Sequence, residues 1–194
     1  EWTPIAVYSD QADCSYTGKS FKGTFDGNGH YIENLSINKS TAFYEGYSLF
    51  GEVGEGGTVK NLGVTGNIGS FRCAAGIAGY NFGTISGCFS RVNVQADGGG
   101  GLRGTGGIVG HNEGTVEYCI NAGAVHNDYR RAGGIVGYNY GNAATINHCF
   151  NVGAVTSVSE GYAGAIAATN GADAPPAGII TDCFYLTGSS AAAI

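Results

Sequence analysis

Between Leu49 and Tyr185 one short pattern is written five times, and this repetition constrains the fold more than any single residue. Its clearest copies read Ala75-Gly-Ile-Ala-Gly-Tyr-Asn-Phe-Gly-Thr-Ile-Ser-Gly-Cys88 and Gly106-Gly-Ile-Val-Gly-His-Asn-Glu-Gly-Thr-Val-Glu-Tyr-Cys119. Another runs Gly133-Gly-Ile-Val-Gly-Tyr-Asn-Tyr-Gly and, after three extra residues, Thr145-Ile-Asn-His-Cys149. A decayed copy holds Ala163-Gly-Ala-Ile-Ala-Ala-Thr-Asn-Gly and Ile180-Thr-Asp-Cys183. Ile77, Ile108, Ile135 and Ile166 are separated by 31, 27 and 31 residues, and Asn81, Asn112, Asn139 and Asn170 by the same steps. Cys88, Cys119, Cys149 and Cys183 follow at 31, 30 and 34. Val59-Lys-Asn-Leu62 and Ile32-Glu-Asn-Leu35 align as earlier copies with Leu in the Cys column. Repeats of this length stack as similar units, each burying its apolar face on its neighbours, and about six coils are countable here.

The coils are built of strands. Glycine supplies 36 of 194 residues, and Gly inside a helix costs about 1 kcal/mol relative to Ala. Short β-branched runs bounded by Gly, Asn, Ser and Thr read as strands and turns. The expected architecture is all-β, a parallel β-solenoid with three short strands per coil. One carries Gly-Ile-Val-Gly, the second begins at Thr-Ile, and the third surrounds Gly123-Ala-Val125 or Gly153-Ala-Val155. Cys119 and Val125 are an even number of residues apart, so both can face inward along extended chain. Val116 and Cys119 are an odd number apart, which requires a bend between them. The Asn column is expected at a corner, because Asn tolerates left-handed backbone, with its amides bonded along the axis. Residues 1–20 read as a cap, 21–188 as the solenoid and 189–194 as a tail.

The repeat Gly-Gly-Ile-Val-Gly-Tyr-Asn-x-Gly-x-Ile-x-x-Cys resembles the GLUG repeat of bacterial surface proteins. Phe21-Lys-Gly-Thr-Phe-Asp-Gly-Asn-Gly-His-Tyr-Ile-Glu-Asn-Leu35 is similar to the coil that leads such repeats. The resemblance spans roughly residues 20 to 186. It implies a right-handed β-helix in a secreted or cell-surface protein. Such modules accompany adhesins and the non-catalytic N-terminal part of metallopeptidases that cleave immunoglobulin A. The resemblance carries no catalytic residue onto this chain. Leu in the first coils and Ala167-Ala168 in the last copy depart from the pattern, the latter suggesting a terminal coil.

A net charge of −6 with 12% charged residues leaves no basic stripe for nucleic acid. No stretch reaches the length of a membrane span. Glu1 is not a natural start, so a processed product is expected. Four of the six cysteines occupy a column otherwise filled by Leu. They are therefore expected as small buried apolar residues with free thiols, since side-by-side side chains suit a disulfide dihedral poorly. Cys14 and Cys73 lie outside that column, and their pairing would require the N-terminal segment to fold back.

No zinc-type ligand spacing occurs, and no cofactor or metal is expected. Carboxylates scatter over the columns, with Glu52 aligned to Tyr80, His111 and Tyr138, and Glu33 to Lys60, Ser86 and Glu117. No column is expected to pair two of them in adjacent coils, so catalysis is not expected. His111, Glu113 and Glu117 form the nearest cluster. The stretch Gly98–Gly107 lacks the ending of a phosphate loop and reads as a surface loop. Coil lengths vary mostly after the third strand, and insertions at one repeat position project from one edge, often the binding edge. That edge would gather Phe71, Arg72, Arg103, Tyr129, Arg130, Arg131 and Tyr162, with Phe43, Tyr44 and Tyr47 beside them. Aromatic residues and Arg are enriched at recognition hot spots. An alternative is an outward row of Tyr80, His111 and Tyr138, flanked by Phe82, Glu113 and Tyr140. The sequence thus points to a non-enzymatic extracellular module for adhesion or spacing, with a surface protein or glycan as partner. Two alternatives stand beside it: a self-assembling structural subunit joined through the solenoid ends, and a polysaccharide-acting β-helix enzyme or its accessory domain.

Overall fold

Hydrophobic residues recurring at the coil period have one place to go, the interior of a stack. The computed structural model describes residues 2–6, 19–38, 46–70, 73–97, 104–159, 162–171 and 177–188, and every regular element among them is a β-strand. The strands lie in parallel register, coil upon coil. One sheet has five strands, Phe50–Val53, Ala78–Asn81, Val109–Asn112, Val136–Asn139 and Ala167–Asn170. A second has six, Thr24–Asp26, Thr58–Lys60, Thr84–Ser86, Thr115–Glu117, Thr145–Asn147 and Ile179–Thr181. A third, the long sheet, runs from Tyr31–Asn38 through Gly63–Ser70 and Phe89–Ala96 to Phe184–Tyr185. The solenoid therefore makes between five and six coils, as the columns predict. Each later coil also carries a two-residue strand ahead of the bend, as at Thr105–Gly106 and Ala132–Gly133, forming a fourth, four-stranded sheet.

The repeat glycines follow from close approach. A Cβ on Gly107 would sit 2.2 Å from the Gly134 carbonyl oxygen and 2.3 Å from the Asn121 side chain. On Gly137 it would sit 2.4 Å from the backbone of Gly104. Neighbouring coils thus touch backbone to backbone where the chain turns. Inside, Ile77, Ile108, Ile135 and Ile166 form one buried column, and Val59, Ile85, Val116 and Ile146 another. Burying one such side chain contributes roughly 1.5–3 kcal/mol. At the N-terminal end the rings of Phe21 and Phe25 close on Phe50 at 5.1 and 5.5 Å. Ile5 pairs with the edge of the same strand.

Two expectations about register are corrected. The Asn column does not supply the left-handed corner. Positive φ occurs instead at Asn61, Gly87, Tyr118, His148 and Asp182, the residues just before the Leu/Cys column. That is the bend required between Val116 and Cys119. The Asn81, Asn112, Asn139 and Asn170 amides do bond along the axis, at 2.8, 2.8 and 2.9 Å between neighbours. Asn112 also donates to the Gly114 carbonyl of its own corner at 3.0 Å, and Asn81 to the Thr115 carbonyl of the next coil at 3.1 Å. The leading coil is also displaced. Thr24–Asp26, not Ile32–Leu35, stacks on Thr58–Lys60, and Leu35 pairs with Gly66 after a register shift. Lys60 consequently faces Asp26 at 3.4 Å rather than Glu33.

Cys88, Cys119 and Cys149 are buried free thiols in the core, and Cys183 in the last coil is half-buried. The Cys119 Sγ donates to the carbonyl of Glu117 at 3.1 Å, and complete burial pushes its thiol pKa up. Cys73 is likewise buried and free. Cys14 lies outside the described residues.

Candidate functional site

The loop edge survives only in part as an exposed surface. Tyr129 is exposed, and Arg130 and Tyr162 are half-buried. The Arg130 guanidinium lies 5.4 Å from both the Tyr129 and Tyr162 ring centroids, a cation between two rings. The loop that carries it is pinned. Asn127 Oδ1 accepts the backbone N–H groups of Tyr129 and Arg130 at 2.8 and 2.9 Å. Ser157 Oγ donates to the Arg130 carbonyl at 3.4 Å, and Ser159 Oγ donates to that of Tyr129. Arg131, one residue on, is 1% exposed and does not belong to the edge surface. Its guanidinium covers Tyr138 at 4.9 Å, and its Nε donates to Thr169 Oγ1 at 3.0 Å. Tyr47 is buried as well. Phe43, Tyr44, Phe71, Arg72 and Arg103 lie outside the described residues, as does most of the Gly98–Gly107 stretch.

The row Tyr80, His111 and Tyr138 is in register as aligned, with Glu52 ahead of it and Thr169 after it. It is not outward. Tyr80 and His111 are each 6% exposed and Tyr138 is fully buried. His111 lies 5.5 Å from the Tyr80 ring and 5.3 Å from Tyr138, with Nε2 2.9 Å from Glu113 Oε1. Arg131, just ahead of the strand Ala132–Gly133, folds back over this row at Tyr138. Glu117 lies apart, on the six-stranded sheet beside Ser86 and Asn147.

One carboxylate pair does meet in adjacent coils, against the sequence expectation. Ala96 pairs with Asn127, which sets Asp97 beside Asp128, and the Gln95 amide reaches them at 3.5 and 3.0 Å. The hydrogen bond from His126 at 2.7 Å is the main cause holding the Asp128 carboxyl below the usual range. A carboxyl with a lowered pKa is poorly suited to donate a proton near neutrality. Among the described residues no group of three His, Cys, Asp or Glu is placed to hold a metal ion.

The surface that sequence reasoning missed is the outer face of the long sheet. Tyr31, Gly63, Phe89, Ile120, Phe150 and Phe184 follow one another in register. Tyr31 is 57% exposed and Phe184 65%. The signal was present: from Phe89 onward these residues directly follow the core Cys, so in extended chain they face outward. Farther along the same face, Ser36, Asn38, Asn67, Asn93, Gln95 and His126 line a concavity of about 410 Å³. Among the described residues no helix is long and apolar enough to cross a membrane.

Residues 128–156 match the GLUG motif family. The chain carries a GLUG motif. The match spans the pinned loop of Tyr129 and Arg130 and the coil from Ala132 to Val155. The chain is 34% identical over 94 residues to a protein of Evansella cellulosilytica provisionally named a Gly-rich membrane protein, covering 48% of this chain and 10% of that protein. It is 42% identical over 69 residues to halomucin of Haloquadratum walsbyi, covering 33% of this chain and 1% of halomucin. Its fold is similar to the crystal structure of a Bacteroides ovatus protein provisionally named an immunoglobulin A1 protease. That match has a TM-score of 0.53 and 19% identity, and covers 97% of this chain and 65% of that one. This chain thus corresponds to small fractions of both sequence relatives and to under two thirds of the structural one.

Proposed function

We propose that this chain is a non-enzymatic extracellular or cell-surface module of a bacterial protein, a rigid GLUG solenoid that binds a surface protein or glycan through its variable loop edge. The observation that carries this reading is the pinned Tyr129–Arg130–Tyr162 stack. Four side-chain hydrogen bonds fix a loop that the repeat itself does not require, and preorganised aromatic and Arg groups lose little entropy on binding. The names of the sequence relatives, a membrane protein and a halomucin, favour a surface setting. The scatter of the acids other than Asp97 and Asp128 over different columns favours binding over turnover.

The test is binding of the purified chain to glycan and extracellular-protein arrays, with product analysis of every bound glycan. Saturable binding without cleavage, weakened in the Tyr129→Ala/Arg130→Ala double variant, supports the reading. Hydrolysis or elimination products that vanish in an Asp97→Asn/Asp128→Asn variant would refute it. Self-assembly is a second reading, favoured by the exposure of Ile179, Phe184, Tyr185 and Leu186 on the last described coil. Concentration-dependent growth of the particle in light scattering would select it.

A further inference from the structure

We propose that the outer face of the long sheet is a binding site for an uncharged oligosaccharide, with Tyr31 as the stacking platform and Asn67, Asn93 and Gln95 as the hydroxyl-binding groups. The proposal rests on the binding-module reading but uses a different surface from the loop edge.

The Tyr31 ring lies flat on the sheet. A Cβ on Gly63 would come within 2.3 Å of Cδ1 and Cε1 of that ring, so only glycine lets it settle there. One ring face is therefore against backbone, and the residue is still 57% exposed. Phe89 meets it at 6.1 Å and 69°, and the Arg91 guanidinium covers Phe89 at 5.7 Å. A flat ring with an open face suits the C–H side of a pyranose. The concavity begins at Asn67, four residues farther along the strand from Gly63, or about 13 Å at ~3.3 Å per residue. Its depth comes from small residues. Gly69 stands in register between Asn38 and Gln95, and Ala124 beside Asn93. Its volume of about 410 Å³ lies within the ~300–1,000 Å³ typical of ligand sites.

The hydrogen-bonding groups are amides rather than charges. Asn93 Nδ2 donates to Asn67 Oδ1 at 3.2 Å, and Asn93 Oδ1 accepts from the Ala124 N–H at 3.1 Å. The Asn67 Nδ2 group has no acceptor among the described residues, and an amide nitrogen carries two donors. At the far rim stand Asp97, Asp128 and His126, bonded among themselves and to Gln95. The cation on this face, Arg91, is held over Phe89. Carboxylates at the rim repel an acidic sugar, whereas amides and hydroxyls match a neutral one.

The experiment is calorimetric titration of the chain with cellohexaose, xylohexaose and mannohexaose, with hexagalacturonate as the anionic probe. The proposal expects at least one neutral hexaose to bind and hexagalacturonate to bind more weakly. Tyr31→Ala should weaken the neutral sugar at least tenfold, and Asn67→Ala at least threefold. Tyr31→Phe should leave its affinity within twofold. Should Tyr31→Ala unfold the chain, Tyr31→Phe and the exposed Asn67→Ala still decide the matter. Failure of all three neutral sugars to bind, tightest binding of hexagalacturonate, or full affinity in folded Tyr31→Ala would overturn the proposal. Array binding lost only with Tyr129 and Arg130 would leave the module reading standing without this site.

Discussion

At the scale of single residues, the repeat is a set of inward-facing hydrogen bonds. Asn112 accepts from Asn81 and donates to Asn139 and the Gly114 carbonyl. Replacing it by Ala strands groups in both neighbouring coils, and each buried unmade bond costs about 1–3 kcal/mol. Asn112→Ala is therefore expected to lose roughly 3 kcal/mol of stability in urea unfolding, and a loss below ~1 kcal/mol would deny the ladder its role. Carboxyls act at the surface. Asp26 is held below its usual pKa first by the Asn28 backbone N–H and then by Asn61, and Asp128 first by His126. Folded values below the unfolded ones mean stability that is complete above about pH 4 and is lost as pH falls through the folded values. Melting temperature should decline below about pH 4, and less steeply in Asp26→Asn. A profile identical in that variant would assign the decline elsewhere. Sequence made the Asn column visible by spacing, but its conformation was misassigned. Asn tolerance of positive φ was the cue, yet Tyr118, His148 and Asp182 take that conformation. Coil closure overrode the residue preference there.

At the scale of elements, columns recurring at matched steps were legible and covers were not. Ile77 to Ile166 and Cys88, Cys119 and Cys149 are buried as spacing requires, whereas Cys183, expected to be buried with them, is only half-buried in the last described coil. The row Tyr80, His111 and Tyr138 was aligned correctly but placed outward, because strand alternation does not report a loop folding back. Arg131 is that loop's contribution. Removing it should cost stability rather than binding: Arg131→Ala is expected to destabilise by ~1–3 kcal/mol through lost packing and the unpaired Thr169 hydroxyl, with array binding unchanged. Loss of binding at full stability would return Arg131 to the recognition edge. The leading coil slipped in alignment because Ile32-Glu-Asn-Leu35 mimics the repeat, while Thr24–Asp26 is the strand that stacks. For the thiols, alkylation after unfolding without reductant should modify Cys73, Cys88, Cys119, Cys149 and Cys183 alike. Bridged peptides between neighbouring column members would contradict the structure.

At the scale of the whole molecule, the parallel ladders and core form a frame on which two surfaces are displayed, the pinned loop edge and the outer face of the long sheet. The first was legible because loop length varies where the strands repeat. The second was hidden because an apolar residue after each core Cys reads as more core until parity is applied. The separation of frame from recognition is tested most directly by a paired measurement of melting temperature and array affinity. Asn112→Ala should lower the melting temperature by several degrees, at about 2–4 °C per kcal/mol for a chain of this length, and leave affinity within twofold below the transition. Tyr129→Ala/Arg130→Ala should weaken binding by ~2 kcal/mol or more at an unchanged melting temperature. The opposite outcome, affinity lost with Asn112 and kept without Tyr129 and Arg130, would contradict it.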